Sequence, residues 1–126
     1  MKKKHLLMPV LMGCLMLNSQ TLLAADATTQ KMADIVLHLN HHPSDSEKQE
    51  LQNIVNDGTA SASEKTIASA LMNMNHHVSA GDRQKLQKIA SDQSVPEADR
   101  QLATILAGIN HHPSDADKET LEKIAK

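Results

Sequence analysis

An all-α fold of three tandem 35-residue helix-turn-helix repeats is predicted by three features of the chain. First, Asn40-His41-His42-Pro43-Ser44 returns as Asn75-His76-His77-Val78-Ser79 and again as Asn110-His111-His112-Pro113-Ser114, at one fixed spacing. Second, the apolar residues upstream of each copy recur at i, i+3, i+4 and i+7, which is one face of a helix and not the alternation of a strand. Third, 126 residues contain no Phe, Tyr or Trp and only four Gly and four Pro. A core of Leu, Ile, Val, Met and Ala suits close-packed helices, and so little punctuation cannot bound many short strands.

The chain opens with Lys2, Lys3 and Lys4, then an apolar run from Leu6 to Leu17, then a polar-to-small stretch from Asn18 to Ala25. This order predicts a signal peptide over residues 1–25, cleaved after Ala25, with Ala24 and Ala27 as alternative sites. The apolar run of 12 residues is shorter than the ~20 a membrane-spanning helix needs, so no transmembrane segment is expected. Leu11-Met12-Gly13-Cys14 resembles a bacterial lipobox, which makes a lipid anchor at Cys14 the less favoured outcome. The expected location is periplasmic or secreted. Cys14 is the only cysteine, so residues 26–126 hold neither a disulfide nor a thiolate ligand. They carry 10 basic against 15 acidic residues, a formal charge of −5. A mildly acidic chain without basic runs speaks against nucleic acid as a partner and is compatible with attracting cations.

Residues 26–126 are expected to form a single helical-repeat domain, with units at about 28–62, 63–97 and 98–126. Helix A of each unit carries the stripe Met32, Ile35, Val36, Leu39, then Ile67, Ala70, Leu71, Met74, then Leu102, Ile105, Leu106, Ile109. These place it over roughly 28–40, 63–75 and 97–110. Ser44, Ser79 and Ser114 are N-cap residues for helix B, each with an acid three positions on (Glu47, Asp82, Asp117). The hydroxyl can accept from a free N–H of the first turn, and the acid faces the positive end of the helix dipole. Glu is long enough to return the bond, so the signal is strongest at Ser44–Glu47. Leu51, Ile54 and Val55, with Leu86, Ile89, Ala90 and Leu121, Ile124, Ala125, form the apolar side of helix B. Asp57-Gly58-Thr59 and Ser91 to Pro96 are the polar connectors between units, with Pro96 placed in a first helical turn.

In period and layout the unit resembles the helical hairpins of tetratricopeptide solenoids, without their aromatic consensus positions. One hairpin cannot bury both its faces, so the units must stack, as a short α-solenoid or as a compact six-helix array.

The histidine pairs admit two readings. As turn residues, Asn40, Asn75 and Asn110 end helix A in the left-handed conformation that Asn tolerates, His is favoured near a helix C-terminus, and Pro43 and Pro113 forbid continuation. As ligands, the imidazoles of equivalent turns come within reach of a shared ion, with one member of each pair facing any given site. The candidate ligands are His41, His42, His76, His77, His111 and His112, with His38 auxiliary in the first unit, and the metals are Zn, Cu or Ni. The expected function is a small metal-binding protein. The alternative is a scaffold for a protein partner, whose His pairs only finish helices. Simultaneous protonation of six imidazoles is a further reading. An enzyme is not expected, because no phosphate loop, nucleophile elbow or oriented base accompanies the histidines.

Overall fold

The computed structural model describes residues 25–126, and the regular secondary structure there is entirely helical. The expected signal peptide and the lipid anchor at Cys14 lie outside the described residues. Six helices follow in order: α1 (Ala27–Leu37), α2 (Asp45–Asn56), α3 (Ala62–Asn73), α4 (Ala80–Ser91), α5 (Glu97–Gly108) and α6 (Asp115–Ala125). Among the described residues no helix is long and apolar enough to cross a membrane.

Helix starts follow the local chemistry of the chain. Ser44 accepts from the backbone N–H of Glu47, whose carboxylate returns the bond to the N–H of Ser44 at 2.8 Å. Ser61 and Glu64 repeat this box at α3. Ser79 and Ser114 accept from Asp82 and Asp117, where the shorter acid does not reach back. Pro96 stands at the N-cap, one residue outside α5, and supplies no side-chain bond. The A helices stop two or three residues earlier than the apolar stripe suggested, at Leu37, Asn73 and Gly108. Leu39, Met74 and Ile109 still reach the core, from extended or irregular backbone.

Every stripe position of the three A helices is buried, as are Leu51, Leu86, Leu121, Ile54, Ile89 and Ile124 of the B helices. Ala33, Ala68 and Ala103, at one register position, are fully buried as well. The core is therefore one aliphatic cluster shared by all units.

Packing departs from the unit boundaries read in the sequence. Each B helix packs most closely on the A helix of the next unit: α2 on α3 and α4 on α5. The connectors inside these pairs, residues 57–61 and 92–96, are tight turns. Asp57 Oδ1 accepts from the N–H and hydroxyl of Thr59, and Asp92 Oδ1 accepts from the same groups of Ser94. The hairpins thus run from B to A, while the A-to-B segments, residues 38–44, 74–79 and 109–114, carry the chain across one end of the molecule. The last B helix, α6, packs on α1 as extensively as the other pairs. The array closes on itself with quasi-threefold symmetry, and the three A helices α1, α3 and α5 touch one another around the axis. It is the compact six-helix array and not an open solenoid.

Closure makes α1 and α6, the first and last described helices, equal partners in the core. Leu51, Leu86 and Leu121 are each fully buried, so truncation of any of them to Ala is expected to cost about 2–5 kcal/mol. Denaturant unfolding of the three variants should give losses that all fall within this range. A last helix that frays like an open end would instead make Leu121→Ala nearly neutral.

Candidate metal centre

The A-to-B segment is built around one unusual residue. His41, His76 and His111 have φ of 75°, 73° and 75°, the left-handed region. Asn40, Asn75 and Asn110, expected to fill that role, do not; the left-handed position is one residue later. In the first unit the N–H of His42 donates to the carbonyl of Asn40 at 2.9 Å, a three-residue turn of the rare positive-φ kind. Asn40 and His42, and their counterparts in the other units, face each other across this turn. Pro43, Val78 and Pro113 follow as buried anchors.

This turn aims three backbone groups at one another. The N–H of His41 donates to the carbonyl of His111 at 2.9 Å, that of His76 to His41 at 2.8 Å, and that of His111 to His76 at 2.7 Å. Three equivalent residues, 35 and 70 positions apart, thus close a ring of hydrogen bonds on the quasi-threefold axis.

Their side chains converge as well. The imidazole centroids of His41, His76 and His111 lie 4.9, 5.1 and 4.7 Å apart, edge to face. Nδ1 of His41 stands 3.1 Å from Nδ1 of His76, so one carries the proton and the other the lone pair. One nitrogen from each ring lies within 4.8 Å of those of the other two. A tetrahedral ion with Zn–N bonds of 2.0–2.1 Å sets its ligand atoms about 3.3 Å apart and its imidazole centroids about 5.2 Å apart. The centroid spacings already approach that figure, so the rings need mainly to turn about their side-chain torsions. Partial withdrawal from water, and then repulsion from His111 and His41, lowers the pKa of His76 below the usual histidine value. This favours the neutral, lone-pair form that a metal requires.

The second histidines are placed differently. Nδ1 of His42 contacts the carbonyl of Pro43 at 3.0 Å, that of His77 the carbonyl of Val78 at 3.1 Å, and that of His112 the carbonyl of Pro113 at 3.2 Å. A carbonyl only accepts, so each ring carries its proton on Nδ1 and leaves Nε2 free. These three form an outer set, exposed to solvent and not part of the axial group. His38 caps α1, with Nδ1 3.0 Å from the carbonyl of Asp34, and also stands outside that group. One member of each pair belongs to the axial group.

The opposite end of the axis holds a polar cluster that the sequence reading passed over. Thr29, Glu64 and Asp99 occupy one register position, 35 residues apart, and are 2%, 4% and 3% exposed. The Thr29 hydroxyl stands 2.6 Å from Asp99 Oδ1 and 3.2 Å from Glu64 Oε2. It has one hydrogen to give, so both carboxylates cannot be charged acceptors; one contact needs a carboxylic acid. Burial, first of all, raises the pKa of both Glu64 and Asp99. Three unlike residue types hid this position; the 35-residue register is the signal that finds it.

No family model matches the chain, and neither a curated protein nor a solved structure is significantly similar to it.

The buried acid supplies a pH prediction. Asp99 has a raised folded-state pKa, so its contribution to stability is full below its unfolded value, about 3.9, and is lost as pH rises through the folded value. Asp99→Asn carries no such loss. The melting temperature of Asp99→Asn minus that of the native protein should grow more positive from about pH 4 toward neutrality and then level. A difference that is flat, or that falls with pH, would show an ordinary ionised Asp99.

Proposed function

We propose that this is a periplasmic or secreted helical-repeat protein that binds a transition-metal ion on its quasi-threefold axis. His41, His76 and His111 are the ligands, and Zn(II), Cu(II) or Ni(II) is the ion. The observation that carries this reading is the convergence of three imidazoles, each from a different unit, with ligand nitrogens within 4.8 Å. Three nitrogen ligands suit these borderline metals, and neither thiolate nor carboxylate is needed. Metal entry at Nδ1 would require the proton between His41 and His76 to move to Nε2 of its own ring, a tautomer change that leaves the ring neutral.

Backbone strain adds support. A left-handed residue other than Gly costs on the order of 1–3 kcal/mol, and such outliers cluster at functional sites. Here the strained residue is histidine in all three units, although Gly or Asn would occupy the position at lower cost. Periplasmic or secreted placement rests on the leader-like N-terminus. We read the protein as a binder: among the described residues the axial group consists of three imidazoles. A surface groove of about 360 Å³ between α1 and α2 lies away from the histidines.

The scaffold reading is supported by its own observation: the ring of backbone bonds joins the three turns without using their side chains. Asparagine separates the two roles, because it tolerates positive φ and lacks the imidazole. Native mass spectrometry and calorimetric titration with Zn(II), Cu(II) and Ni(II) should show one ion taken up at the axis. With His41, His76 and His111 all changed to Asn, that affinity should fall by more than about 100-fold, beyond the range for loss of an outer partner, with helicity kept. Changing His42, His77 and His112 to Asn should leave axial uptake in place. Equal uptake by the native protein and the axial variant would leave the scaffold reading standing.

A further inference from the structure

We infer that the axial ion takes its fourth ligand from solution, so that the bound metal is a receptor for a small monodentate anion or water. This rests on the metal reading above and deepens it. Among the described residues, the group that can share the ion contains three histidines and no Cys, Asp or Glu. Three protein ligands leave a tetrahedral ion one position short.

The backbone does not complete the set. The carbonyl of each axial histidine already accepts the N–H of the next, at 2.7–2.9 Å. That ring of bonds and the aliphatic core beneath it occupy the inward side of the axis. The remaining position therefore points outward along the axis, toward water.

Charge then selects the ligand. Three neutral imidazoles offset none of the two positive charges of the ion, so the complex favours an anion or hydroxide at the open vertex. The surroundings agree with that choice. Beside the turn, a groove of about 310 Å³ is lined by His42, Lys48, Met74 and Asn75. Arg83 and Lys118 hold the register of Lys48 in the other two units. The outer histidines hold Nδ1 against a carbonyl, which leaves Nε2 as the acceptor nitrogen of each ring.

Cobalt(II) reports the vertex directly, because its visible bands follow coordination number and ligand identity. The protein is loaded with one Co(II) and titrated with azide and then thiocyanate, beside the variant with His41, His76 and His111 changed to Asn. The expected result is a saturable shift of the visible bands, one anion per cobalt, absent from the variant. Bands of a four-coordinate Co(II) that no anion moves would overturn the inference and leave the metal reading intact, since a protein group would then fill the vertex. Two chains per cobalt in native mass spectra would overturn it as well, with a second copy as the fourth donor. Failure of the native protein to hold Co(II), Zn(II), Cu(II) or Ni(II) at the axis would remove the metal reading itself and the inference with it.

Discussion

Three backbone hydrogen bonds, passed from His41 to His111, from His111 to His76 and from His76 back to His41, close the molecule at one end of its axis. Each joins residues that are 35 or 70 positions apart, so each incurs the entropy of a long loop. They form because the aliphatic stripes on α1, α3 and α5 already hold the three units together, and they fix the register at which those stripes meet. The A-to-B segment can then deliver each B helix to the neighbouring unit. Closure of α6 on α1 follows from the third bond of the same ring.

The ring also explains why the histidines converge. The three residues share the same positive φ and the same place around the axis, and their rings meet at one point. Left-handed backbone costs energy, and buried Pro43, Val78 and Pro113 help hold the turn in place. The outer histidines, one residue on, have no such backbone and point their Nδ1 atoms at the next carbonyl instead. A pair that looks uniform in sequence is two different groups in space.

What could be read from the chain follows the range of each interaction. The stripes on the A helices, and Leu51, Leu86 and Leu121, were legible because helical periodicity is local, and all are buried. Ser44–Glu47 was legible because a capping box spans four residues. Closure was not, since the surfaces that meet depend on the path of residues 38–44, and propensity assigns the left-handed position there to Asn40 rather than His41. The histidine pairs were legible as candidates, and so was the expectation that one of each pair faces a shared point. Which one does so depends on the sign of φ, which no residue type dictated. Thr29, Glu64 and Asp99 escaped because hydrophobic patterning has no place for a buried polar position on an axis.

The two ends of the axis differ in chemistry, with imidazoles at one and, at the other, the carboxyls of Glu64 and Asp99, buried among the described residues. The central claim is that one ion sits where the three units meet. Anomalous diffraction at the zinc edge, from crystals of the zinc-loaded protein, locates it directly. The account predicts one peak on the quasi-threefold axis, at bonding distance from a nitrogen of each of His41, His76 and His111. Peaks confined to His42, His77, His112 or His38, or none on the axis, would contradict it.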